Sequence, residues 1–185
     1  MIYGWSPGIG DPTIMGWVTV AAYLIGSALA ARAGITAEKC RAEREKLFWW
    51  LTAAILLVLA INKELDLQSL LTAVGKHLAQ ADGWYDNRRT AQLAFIIGIA
   101  LAGLAGGLLM LKLTTRSDAA TRIGLLGLVV IGSFVLIRAA SFHHIDHWLG
   151  TGPAGMRWNW ILEIGGIAIV ALAAAAYGKR KKRRR

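Results

Sequence analysis

A succession of apolar runs constrains this chain more than any other feature. Five of them, at about 12–31, 47–62, 91–111, 123–140 and 158–177, approach or reach the roughly 20 residues that cover a ~30 Å hydrocarbon layer. Backbone polar groups in hydrocarbon must bond within the segment, and a helix does this without a partner. The runs do not alternate with period two, so a strand reading fails. The expectation is an all-α polytopic membrane bundle of five transmembrane helices. Composition agrees, because 56% of the 185 residues are hydrophobic and 17% charged, against about 25% charged in soluble domains.

The first 13 residues contain no Lys or Arg, so they do not read as a secretory signal. Asp11-Pro12 offers a side-chain cap followed by a proline whose missing N–H costs nothing in a first turn. Arg32 and Gly34 are expected to end the first span, and the charged stretch 35–46 reads as a solvated loop or short helical extension. Phe48-Trp49-Trp50 suits a headgroup boundary at the start of the second span. That span is short, with a clean apolar part over 47–61, and Lys63 is expected to snorkel outward at its far end.

Leu67, Leu70, Leu71, Val74 and Leu78 share one helical face, which predicts an interfacial amphipathic helix over about 67–81. Trp84 and Tyr85 would anchor its end. The third span carries Ala94, Gly98, Ala102 and Gly106 at four-residue spacing, a ridge that lets helix backbones approach closely. Its partner would be another helix of this chain or another subunit, in a homo- or hetero-oligomer. Ser117 or Asp118 can cap the fourth span, and Trp158 and Trp160 stand at the entrance of the fifth. The one cysteine, Cys40, rules out an intramolecular disulfide.

Alternating the five spans assigns fifteen of the 21 basic residues to one side and six to the other. The richer side, with Lys179–Arg185, should be cytoplasmic, which leaves the N-terminus outside. The basic tail would fix this topology and attract anionic lipids at ~1 kcal/mol per residue near the surface. Nucleic acid is disfavoured as its partner, since neither a folded basic surface nor an aromatic platform accompanies it.

The same topology gathers the chemistry-bearing residues on the outer side. Arg138 and Glu163 fall at similar depth near the ends of the fourth and fifth spans, and an unpaired charge there is costly, so they are expected to pair or share a polar cavity. If the fourth helix continues, His143 and His147 share a face with Asp146 close by. Two imidazoles and a carboxylate make a partial first shell for a transition metal such as zinc. His77, Glu64 or Asp66 would complete it. An open coordination position would suit water activation for hydrolysis of a lipid-linked or periplasmic substrate. Haem fits less well, because three of the four histidines lie on one segment.

Three segments, Ile61-Asn-Lys-Glu-Leu-Asp-Leu-Gln68, Gly83-Trp-Tyr-Asp-Asn-Arg-Arg89 and Ser141-Phe-His-His-Ile-Asp146, carry a resemblance to a group of small bacterial multi-pass inner-membrane proteins. The resemblance spans roughly residues 45–165 and attaches no activity. It implies a bacterial inner-membrane location and one outward-facing site built from the three segments. The alternative function is a non-enzymatic membrane subunit or scaffold packing through the ridge on the third span.

Overall fold

The computed structural model describes residues 12–65, 88–140 and 158–183, with the side chains of 64, 88–96, 99–100, 102, 136–140, 158–159 and 182–183 left aside. The described chain is helical: α1 (Ile14–Lys39), α2 (Glu43–Leu65), α3 (Arg88–Thr114), α4 (Ala119–Ala140) and α5 (Trp158–Arg183). Three helical segments, Ile14–Lys39, Glu43–Lys63 and Trp160–Lys181, are long and apolar enough to cross a membrane. The expected interfacial helix at 67–81 and the segment with His143, His144 and His147 lie outside the described residues.

Local chemistry sets the helix ends. Thr13, not Asp11, caps α1: its backbone is extended and its Oγ1 accepts from the Gly16 N–H at 3.1 Å. Asp11 is outside the described residues. The helix does not stop at Arg32 or Gly34 but runs on to Lys39. Gly34 is there for space, since a Cβ would lie 3.1 Å from the Trp50 indole.

A Schellman turn then closes α1. The Ala42 N–H bonds to the Ala37 carbonyl and the Arg41 N–H to the Glu38 carbonyl, each at 2.9 Å, with Arg41 at φ 53°. Asp118 caps α4 as its side chain type allows, Oδ1 accepting from the Ala120 N–H at 3.0 Å.

The helices pack in the order α2, α1, α5, α4. The buried face of α1 is mostly small (Gly26, Ala30, Ala33, Gly34, Ala37), so both neighbours approach closely. Ser27 Oγ donates across to the Ala53 carbonyl of α2 at 2.8 Å. On α5 the inward residues are Glu163, Ile167, Val170, Ala174 and Tyr177, repeating every three or four positions as one buried helix face does. Trp49 links α2 to α4: a Cβ on Gly124 would lie 2.9 Å from its ring edge, and its ring tilts against Tyr177 at 5.6 Å. Phe48 and Trp49 are therefore wholly buried, and only Trp50 of the expected aromatic boundary is exposed.

The tightest helix crossing is between α4 and α5. A Cβ on Gly127 would lie 2.9 Å from the Gly166 carbonyl oxygen, and one on Gly166 would lie 3.3 Å from the Gly127 oxygen. The α3 ridge behaves differently. Gly98 and Gly106 have nothing within 4 Å of a Cβ position, and the side chains of Ala94 and Ala102 are outside the description. Residues 103–109 are exposed, and α3 buries Met110, Leu113 and Thr114 against the others. Away from the core the helices present large apolar side chains such as Ile25, Val58, Leu104 and Leu172 to the surroundings. Apolar helices with an apolar exterior suit a lipid solvent.

Candidate polar site inside the bundle

Two buried polar clusters bracket the apolar slab. The first joins α1, α2 and α5. Glu163, buried on α5, accepts from Tyr23 Oη on Oε1 and from Lys63 Nζ on Oε2, both at 3.1 Å. Lys63 thus turns inward to the carboxylate and does not snorkel away from the bundle. The geometry follows from helix registers: Glu163 lies in the same inward series as Ile167 and Val170, and Lys63 follows the buried Ala60 by three residues. An ionised pair removed from water is tolerated when both charges are met and their remaining bonding capacity is used. Tyr23 supplies the neutral third contact.

Arg138, the expected partner of Glu163, belongs to the last turn of α4, and its side chain lies outside the described residues. Depth alone made Arg138 the obvious candidate. Lys63 was missed because it is 100 residues away in sequence and stands near a helix end, where snorkelling is the simple expectation.

The second cluster lies fourteen residues further along α5, about 21 Å away at 1.5 Å per residue. Glu45 of α2 is its centre. Its Oε1 accepts from the Asp118 N–H at 2.8 Å, and its Oε2 accepts from Tyr177 Oη at 2.5 Å and pairs with Lys181 Nζ at 3.2 Å. Arg180 Nη1 reaches Asp118 Oδ1 at 3.1 Å. The basic tail begins as a continuation of α5, and two of its residues lock the end of the bundle. Sequence reading assigned the tail to lipid and topology alone. The acidic residues that receive it, Glu45 and Asp118, sit among basic neighbours and did not stand out.

The two clusters differ in chemistry. The Glu45 cluster ties turns and helix ends together and explains itself structurally. The Glu163 cluster sits at the other edge of the apolar slab, with Lys63 two residues from the end of α2 and Glu163 five residues after the start of α5. It lies at the end of the bundle where α2 finishes, α4 finishes and α5 begins. Glu64 follows Lys63 directly, and the segment with His143, Asp146 and His147 follows α4.

Among the described residues no three His, Cys, Asp or Glu side chains come together to hold a metal. The sequence-proposed ligands His77, Asp66, His143, Asp146 and His147, and the side chain of Glu64, are outside the described residues. Comparisons with protein-family models, curated proteins and solved structures give no match.

Proposed function

We propose that this is an integral membrane protein of five spanning helices whose working face is the end away from its basic tail. In this reading it resides in a bacterial inner membrane with the N-terminus outside and the C-terminus cytoplasmic. The observation that carries it is the buried Lys63–Glu163–Tyr23 cluster. Ionisable residues buried in membrane helices are costly and rare, so they are a functional-site hypothesis by default.

The cluster forms the floor of a polar site. In this reading His143, Asp146 and His147, with His77, Glu64 or Asp66, would hold a transition metal such as zinc. The metal would supply an activated water for hydrolysis of a lipid-linked or periplasmic substrate. Elemental analysis of the detergent-purified protein beside His143→Ala/His147→Ala tests this. About one equivalent of metal in the wild type alone is expected from such a ligand set. A folded, metal-free wild type would remove the hydrolytic reading, and a haem spectrum would replace it with electron transfer.

A second reading is favoured by α3. Its Gly98 and Gly106 meet none of the described residues, which suits packing against another subunit. The protein would then be a non-enzymatic subunit or scaffold. A stoichiometric protein that co-purifies with the wild type and is lost from Gly98→Leu would support it.

A further inference from the structure

The α1–α2 and α3–α4 turns lie at the same end of the bundle, joined by the bond from Asp118 N–H to Glu45. Between them opens a cleft of about 240 Å³ lined by Glu43, Arg44, Glu45, Thr115, Arg116 and Ser117. Its acidic groups are engaged. Glu43 pairs with Lys46 at 2.9 Å, and Glu45 is held by Tyr177, Lys181 and the Asp118 N–H. Thr115 and Ser117 donate their hydroxyls to the Leu111 and Leu113 carbonyls. Among the described residues neither Arg44 nor Arg116 has an ion-pair or hydrogen-bond partner for its guanidinium. The unmatched charge of the cleft is therefore positive.

Both arginines occupy positions that disfavour them. Arg44 stands in the first turn of α2, where the helix dipole already presents positive charge. Arg116 adopts φ 67°, a left-handed conformation in which glycine is the ordinary choice. An anion between them would offset the charge at the start of α2 and give both guanidinium groups a counter-ion, and guanidinium forks match phosphate oxygens. The cleft is open to the surroundings, and its volume leaves room for a phosphate and its ester oxygens. One helical turn deeper, Leu47 on α2 and Leu111 on α3 are 46% and 57% exposed. The charged cleft thus continues into an apolar flank on both helices.

We propose that this cleft binds the headgroup phosphate of an anionic phospholipid, with Arg44 and Arg116 on the phosphate and the acyl chains along Leu47 and Leu111. The proposal rests on the reading of the chain as a membrane protein, which vesicle flotation tests separately. Full-length protein that fails to float with vesicles of any composition overturns the membrane reading itself.

Binding is measured in detergent by adduct formation in native mass spectrometry, using phosphatidylglycerol, phosphatidylcholine and inorganic phosphate as probes. The expected result is retention of phosphatidylglycerol over phosphatidylcholine, weakened about tenfold or more in Arg44→Gln/Arg116→Gly as charge-assisted contacts are lost. Glycine suits the backbone at 116, so the variant keeps its fold, and an unchanged thermal midpoint without lipid verifies that. A tail variant, Lys179→Gln/Lys182→Gln, is expected to lose less phosphatidylglycerol than the cleft variant does. Equal retention of both lipids overturns the proposal, as does loss in the tail variant but not the cleft variant. Retention of inorganic phosphate that phosphatidylglycerol does not displace assigns the cleft to a free anion and overturns the lipid.

Discussion

Lys63 Nζ and Glu163 Oε2 lie 3.1 Å apart, with side chains only 11% and 5% exposed, and they tie the end of α2 to the start of α5. Removing one member takes this contact from the other. Breaking a buried pair in this way costs about 3–5 kcal/mol, whereas replacing both by apolar residues is close to neutral. Lys63→Met and Glu163→Gln should each lower the thermal midpoint in detergent. Lys63→Met should be the more damaging, because Lys63 is two residues from the end of α2 and, left alone, can reach outward. Lys63→Met/Glu163→Met should recover most of the loss. If the cluster serves a reaction, the double variant will be stable and inactive.

The five apolar runs were legible because hydrocarbon length and continuity leave few alternatives, and α1 to α5 fall on them. Their ends were less legible. Gly34 looks like a helix stop in sequence, but its missing side chain makes room for Trp50. Phe48 and Trp49 look like interfacial aromatics, but the space above Gly124 draws Trp49 inside. In each case the deciding neighbour comes from another helix. The same reason hid Lys63 from Glu163 and the tail from Glu45.

The close crossing of α4 and α5 gives a sharp contrast with α3. Gly127→Ala and Gly166→Ala each place a methyl against the opposite backbone, and overpacking of this kind costs about 1–3 kcal/mol. Gly98→Ala meets nothing among the described residues and removes a helix-interior glycine, so stability should stay level or rise by up to ~1 kcal/mol. Thermal unfolding of the three variants in one detergent makes the comparison. The ridge on α3 drew attention because its four-residue repeat is regular. The Gly127–Gly166 contact depends on two single positions meeting, which periodicity does not report.

Tyr177 donates to Glu45 at 2.5 Å inside the second cluster. A hydrogen bond to a charged acceptor contributes about 1.5–3 kcal/mol, so Tyr177→Phe should destabilise by that order. The ring still packs on Trp49, so the loss reports the hydroxyl and not the core. Glu45→Gln/Tyr177→Phe should cost less than the sum of the single changes, since both remove one shared bond. A strictly additive cycle would detach Tyr177 from the carboxylate.

Thr121 is fully buried on α4, and among the described residues its Oγ1 has no hydrogen-bond partner. A buried hydroxyl left unsatisfied carries its desolvation cost with nothing in return. Thr121→Val keeps the branched shape and removes the oxygen, so it should raise stability by about 1–2 kcal/mol. A fall in the thermal midpoint would mean that the hydroxyl is engaged in solution.

Cys40 sits in the turn between α1 and α2, half-buried, and it is the only cysteine in the sequence. In the proposed orientation, which rests on the charge distribution, this turn would face the cytoplasm. In intact spheroplasts Cys40 should therefore resist a membrane-impermeant maleimide and react once the membrane is opened. Half-burial alone would also slow the reaction, so Arg41→Cys in a Cys40→Ser background moves the thiol to an exposed neighbour. It should be protected in the same way. Asp86→Cys in that background lies between the second and third spans and should label from outside without disruption. Labelling of both positions from the same side would break the alternation on which five spans rest. Labelling of position 41 alone from outside would keep the spans and invert the protein, placing the Lys63–Glu163 cluster toward the cytoplasm.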